Sequence, residues 1–162
     1  LIIHPRLQKE GYKGTPHLEA FAEAVEALQC PLCYNGDITS PDTLTQILTQ
    51  LPMIDTVMIG RGILQNPGLL QELKSASTES VALPSCEERL AVLKEFHNSL
   101  LTGYQEIMSG DTNTLYKMKD LWTFLSRSFE FPDKYVKKIR KATDVSDYKL
   151  AVNALFRECT LK

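Results

Sequence analysis

Two tripeptides carry the residue types from which a phosphate site is built: Asn35-Gly36-Asp37 and Gly60-Arg61-Gly62. Each directly follows a short apolar run, Pro31 to Tyr34 and Val57 to Ile59, and each precedes a helix-like pattern. Glycine lets the backbone approach a ligand closely. Arg61 is suited to gripping a phosphate monoester through two parallel hydrogen bonds, and amides at a helix start add to that grip. A (β/α) barrel holds phosphate on strand-to-helix turns of this kind, often after its last two strands. We therefore expect these to be those two loops and the ligand to be a phosphorylated cofactor. Asn-Gly is also a common turn; its place before a capped helix is what marks it here. His4-Pro5-Arg6 follows a third apolar run. An imidazole there has a donor for a cofactor's carbonyl or ring nitrogen, and a guanidinium suits phosphate or a pyrimidine edge. A strand-end histidine beside a surface arginine is the plainer reading of the same residues.

The elements that must position these groups alternate. Leu1 to Ile3 reads as a strand, and residues 5–16 as a loop with Pro5, Gly11, Gly14 and Pro16. Residues 17–29 read as a helix with Leu18, Phe21, Ala22, Val25 and Leu28 on one face. Pro31 to Tyr34 is a short buried strand. Ser40 caps the next helix, with Pro41 at its first position and Leu44, Ile47, Leu48 and Leu51 as its apolar face. Asp55 to Ile59 is the third strand, and Asn66-Pro67 opens a short helix ending near Lys74. This is the grammar of a parallel sheet with helices outside. A closed barrel needs eight strands and typically ~250 residues, so roughly five strands are expected to precede Leu1. Leu1, which is not a methionine, is accordingly read as a cut point inside a larger protein.

Residues 75–85 read as a linker rich in Ser, Thr and Ala, separating an α/β part (residues 1–74) from an all-α part (residues 86–162). Ser85-Cys86-Glu87-Glu88 fits a capping box. Leu93, Phe96, Leu100, Tyr104 and Ile107 step at helical spacing, as do Leu115, Met118, Trp122, Leu125 and Phe129. Pro132 starts a shorter helix and Ser146 the last. The expected fold is α/β followed by all-α: the last three βα units of a TIM-type (β/α)8 barrel plus a C-terminal four-helix domain.

The 162 residues are 43% hydrophobic and 23% charged, an ordinary globular composition. No apolar run approaches ~18 residues, so no membrane span is expected. Cys30 and Cys33 form a C-x-x-C, but it falls in a predicted buried strand, and no second ligand pair follows at zinc spacing. We expect apolar structural cysteines, no metal site and a reducing cytoplasm. Charge is uneven: residues 1–116 carry 7 basic and 14 acidic side chains, residues 117–162 carry 11 and 6. A basic tail on an acidic front points to a polyanion as partner. Lys134, Lys137, Lys138 and Lys141 fall on one helix face, while Tyr135, Ile139 and Ala142 fall on the other. Arg127 and Arg140 extend the patch. A solvated face is the plain explanation, and the charge of the tail favours a phosphate backbone instead.

Taken in order, these segments resemble the C-terminal half of the tRNA-dihydrouridine synthases. The matching stretches are Ile3-His4-Pro5-Arg6, Gly11-Tyr12-Lys13-Gly14, Asn35-Gly36-Asp37-Ile38 and Val57-Met58-Ile59-Gly60-Arg61-Gly62 with Asn66-Pro67. Met118-Lys119-Asp120-Leu121-Trp122 and Lys137-Lys138-Ile139-Arg140-Lys141 are similar to the family's helical domain. The resemblance implies an FMN-containing barrel followed by a helical tRNA-binding domain. NADPH reduces the flavin, which passes hydride to C6 of a uridine flipped out of the tRNA, and a cysteine acid protonates C5. It further implies that His4 faces the flavin ring, that Asn35, Gly36 and Asp37 line its pocket, and that Gly60 and Arg61 bind its phosphate. Arg6 is implied to contact the substrate or the flavin, and Lys134, Lys137, Lys138 and Lys141 the tRNA.

Two departures stand out. Thr15-Pro16-His17-Leu18 replaces the acidic residue and tryptophan that often follow Gly14 in the family. None of Cys30, Cys33, Cys86 or Cys159 sits in the family's catalytic motif, so the acid is expected upstream and this piece alone is expected to be inactive. An isolated piece with an open sheet is also expected to self-associate. The competing readings are another FMN- or phosphosugar-binding barrel oxidoreductase and a non-catalytic RNA-binding module.

Overall fold

The structure, a computed structural model, describes residues 1–11, 13–77 and 84–162. The chain divides into two compact units, Leu1–Ala82 and Leu83–Lys162.

The first unit is built on three short parallel strands, β1 (Ile2–Ile3), β2 (Cys33–Asn35) and β3 (Val57–Met58), in the order β1-β2-β3. Ile3 pairs with Tyr34 and Tyr34 with Val57. Since side chains alternate along a strand, that row points to one face, and there it joins Phe21, Ile38, Ile47, Leu51, Leu69 and Leu73 in the core. The other face is open: Ile2 is 58% and Met58 46% exposed. The runs therefore are not strands buried on both sides. They are shorter than the apolar runs suggest, and Asn35 belongs to β2 because it pairs with Met58.

Among the described residues of this unit, a 3-10 turn (Gln8–Glu10) is followed by the α-helices α1 (Leu18–Ala27), α2 (Pro41–Gln50), α3 (Arg61–Gln65) and α4 (Leu69–Ser77). Ser40 caps α2, its hydroxyl accepting from the Thr43 amide at 3.2 Å. Helix α3 lies ahead of the helix expected to open at Asn66-Pro67, so the pattern after Gly60-Arg61-Gly62 is two helices rather than one. It begins directly after Gly60 and stops at Asn66, whose Oδ1 instead accepts from the Gly68 amide at 3.0 Å. Helix α4 runs through Ser77, so residues 75–77 are helix rather than linker; residues 78–83 of the expected linker lie outside the described residues.

The second unit contains α5 (Cys86–Ile107), α6 (Asp111–Leu125), α7 (Asp133–Lys141) and α8 (Val145–Glu158). Ser85 and Glu88 close the capping box on α5, with bonds of 2.8 and 3.2 Å. Helix α8 starts at Val145, one residue before the expected Ser146, and Asp144 caps it, accepting from the Asp147 amide at 2.8 Å. Helix α6 packs on α5, α7 and α8, and α7 packs on α8. Phe129 lies beyond the end of α6, in an antiparallel bridge to Leu161, yet is fully buried. At the centre of this core the Tyr148 hydroxyl accepts from Trp122 Nε1 at 2.8 Å and meets His97 Nε2 at 2.7 Å. With that hydroxyl donating onward, His97 Nε2 accepts, and its Nδ1–H points to Asn98 Oδ1 at 3.1 Å. Burial pushes His97 below the usual imidazole range and Tyr148 well above the usual phenol range.

Candidate functional site

The parallel order places the C-terminal ends of three strands side by side, where open α/β sheets collect their functional groups. His4 and Arg6 follow β1, Asn35 to Asp37 end β2, and Gly60 and Arg61 follow β3. Asp37 is the hinge of the arrangement. Its Oδ2 accepts from Arg6 Nη2 at 2.5 Å and its Oδ1 from Arg61 Nη2 at 2.6 Å. One carboxylate thus holds two guanidiniums from the strands on either side.

The three groups differ in exposure. The Arg6 side chain is 2% exposed, while Arg61 is 25% and Asp37 40% exposed. Arg6 Nη1 also donates to the Gly11 carbonyl at 3.3 Å, which ties the loop after β1 to the site. Arg6 is therefore a buried strut, not the open surface cation that its sequence position allows. Asn35 Nδ2 donates to the Met58 carbonyl at 2.8 Å, locking the end of β2 to β3. His4 Nδ1 donates to the Asn35 carbonyl at 2.5 Å, which leaves Nε2 of this exposed residue as the ring atom available to a ligand.

Backbone demands explain the small residues. Asp37 itself has φ 44°, a left-handed conformation that Asp and Asn tolerate better than most side chains. A Cβ on Gly36 would sit 2.6 Å from the Tyr34 hydroxyl, and one on Gly62 would sit 2.1 Å from the Ile38 carbonyl oxygen. Gly60 differs: its Cβ position is open, with no atom within 4 Å.

Two buried polar atoms among the described residues have no partner, Arg6 Nε and the Tyr34 hydroxyl. Burial pushes the Tyr34 phenol up to about 12; Asp37 adds to the shift and Arg6 opposes it. Sequence reasoning passed over Tyr34 as one more apolar strand residue. It also passed over the pairing of Asp37 with both arginines, although an acid between two strand-end arginines was there to be read.

In the second unit, Lys134, Lys137, Lys138, Arg140 and Lys141 are all exposed on α7, and Arg127 is exposed in the 3-10 turn Ser126–Ser128 that precedes it, while Tyr135, Val136 and Ile139 are buried. The Lys134 ammonium lies 5.3 Å from the Tyr135 ring centroid. The Tyr135 hydroxyl donates to Glu158, which raises the phenol pKa and lowers that of the carboxyl. A cleft of about 340 Å³ has Lys138 and Lys141 in its wall. Cys30, Cys33, Cys86 and Cys159 are free thiols. No helix among the described residues is long and apolar enough to cross a membrane.

Comparison with known proteins gives this geometry a context. The sequence model described as Dihydrouridine synthase (Dus) matches residues 1–158. A tRNA-dihydrouridine(16) synthase of Shewanella oneidensis is 28% identical over 142 residues, covering 86% of this chain and 41% of that protein. A tRNA-dihydrouridine synthase B of Xanthomonas campestris pv. campestris is 34% identical over 84 residues, covering 52% of this chain and 25% of that protein. One of Pasteurella multocida is 34% identical over 95 residues, covering 57% and 28%. The chain spans about two fifths or less of the length of these curated relatives.

Proposed function

The chain belongs to the dihydrouridine synthase family, and from that premise we propose that it is the C-terminal part of an FMN-dependent tRNA-dihydrouridine synthase. The whole protein would reduce uridine in tRNA to 5,6-dihydrouridine with NADPH, in the cytoplasm. The observation that carries the reading is the meeting of three strand ends on Asp37. In this reading the first unit supplies the last three βα units of a (β/α)8 barrel, and residues 86–162 the helical tRNA-binding domain.

The residues present fit the cofactor. Gly60 leaves open space for a phosphate to approach the backbone, and the Arg61 guanidinium stands beside it, fixed by Asp37. Gly60 and Arg61 would hold the phosphate; His4, Asn35, Gly36 and Asp37 would line the remaining pocket. FMN, when bound, supplies the hydride chemistry. The chain's own groups bind and orient. Asp37 neutralises the buried Arg6 and fixes the direction of Arg61. Arg6 supports the site through Asp37, and His4 presents Nε2 to the ligand. The lysines of α7 meet tRNA phosphates. The catalytic cysteine is expected outside residues 1–162, and an isolated piece is expected to self-associate through its open sheet face.

Titrating FMN into the apo form of the full protein tests the site. Arg61→Ala is expected to weaken binding by about 2 kcal/mol, roughly thirtyfold, for a lost charge-assisted contact. Equal affinities for the two proteins would remove Arg61 from the phosphate site.

A further inference from the structure

Phe131 stands out in the second unit. Its ring is 89% exposed, whereas Trp122, Phe129 and Tyr148 are fully buried and Phe156 is 4% exposed. Its backbone has φ 51°, a left-handed conformation that a bulky side chain rarely adopts. The segment is not loose. The Glu130 amide donates to the Thr160 carbonyl at 2.9 Å, the Lys162 amide to Ser128 at 2.9 Å, and Phe129 bridges Leu161. On the other side, the Val136 amide donates to the Pro132 carbonyl at 3.0 Å and starts α7. The chain is pinned before and after Phe131, and the ring is held out in water. Neither the strain nor the hydrated ring helps folding, and strained positions of this kind cluster at binding and switch sites.

We propose that Phe131 is a stacking platform for an unpaired base of the RNA whose phosphates lie along α7. The proposal rests on the reading of α7 as an RNA-binding face. Phe131 comes three residues before Lys134, the first of the exposed lysines, and four residues after Arg127, which is also exposed. A single aromatic ring next to a basic helix matches the pairing of base stacking with phosphate contacts by which proteins hold unpaired RNA. Glu130 and Asp133, both exposed and on either side of Phe131 in the sequence, repel phosphate, so Phe131 meets a base face while the backbone is met from Lys134 onward. A protein partner would call for a contiguous apolar patch; here the exposed ring is bracketed by charged residues.

The experiment measures affinity of the full protein for unmodified tRNA as a function of salt. Phe131→Ala is expected to weaken binding about tenfold, as loss of one base stack does, with the salt slope unchanged. Phe131→Trp is expected to keep the affinity, its added emission quenched when tRNA binds. Phe131→Asn, a residue that accepts this backbone, is expected to melt no lower than the parent while binding tRNA as weakly as the Ala variant. Parental affinity in Phe131→Ala, or a lower melting temperature in Phe131→Asn, overturns the proposal. The Lys134/Lys137/Lys138/Lys141 quadruple Ala variant separates the two readings. If its salt slope matches the parent, α7 is not the RNA face and both readings fall. If the slope flattens while Phe131→Ala binds normally, only the stacking platform falls.

Discussion

Asp37 and Arg61, 24 positions apart in the chain, meet at 2.6 Å because β2 and β3 lie side by side with their ends in register. The same carboxylate reaches back to Arg6 on the other flank. One acid thus braces both arginines of the strand-end site.

Asp37→Asn probes that acid while keeping a side chain that tolerates the left-handed backbone. It removes the negative charge from a guanidinium that is 2% exposed. We expect a loss of about 2 kcal/mol in urea unfolding, since a buried cation loses its charged partner. An unchanged midpoint would mean that Arg6 finds another acceptor.

Gly62→Ala sets two effects against each other. Alanine favours a helix by about 1 kcal/mol over glycine. Here its Cβ would lie 2.1 Å from the Ile38 carbonyl oxygen, and backbone cannot yield cheaply. The overlap is expected to win, with net destabilisation of about 2 kcal/mol. A variant as stable as the parent would show that α3 shifts freely.

His97 makes the second unit acid-sensitive. Its folded pKa lies below the ordinary imidazole value because burial disfavours the imidazolium. As pH falls below that value, the unfolded chain takes up a proton that the folded chain refuses. Stability from this group is full above the unfolded pKa and is lost as pH falls toward the folded one. His97→Gln should flatten urea midpoints over that window; a parental pH profile in the variant would assign the acid loss to other groups.

Tyr148→Phe should be costly for a different reason. It leaves Trp122 Nε1–H and His97 Nε2 without their partner in the core. About 3 kcal/mol is expected for two buried polar groups left unsatisfied. Thermal melting of the variant decides it, and a loss below about 1 kcal/mol would mean that water enters to replace the hydroxyl.

Residues 1–162 studied alone are expected to self-associate and to show no NADPH-dependent turnover on unmodified tRNA. Leu1 is 66%, Ile2 58% and Met58 46% exposed on a sheet whose outer strands lack neighbours among the described residues. Sedimentation at micromolar concentration would show dimers or larger species. A clean monomer, or measurable turnover, would contradict this account of the piece.

What the sequence determined by itself is local or ordered along the chain. The alternation of strands and helices, the caps at Ser40 and Ser85, most of the buried helix faces and the strand-end residues His4, Asn35, Asp37 and Arg61 all follow from patterns within a few residues; Leu28, Leu48 and Ile107, expected on those faces, are exposed instead. Helix periodicity, capping and turn chemistry act over that range, so they are legible without a structure. The tertiary structure decided the rest. Asp37 bridges Arg6 and Arg61 across 31 and 24 positions, which depends on strand order and register. Gly62 is required by a carbonyl from another loop. Helix α3 was not separated from α4 because two glycines and an asparagine resemble a loop locally; in the structure Gly62 lies close against Ile38 and Leu69. Phe131 reads as one more apolar residue before a proline; only the bonds pinning its neighbours force the backbone to positive φ and the ring into solvent. Contacts between distant segments set these features, and no short window of sequence contains both partners.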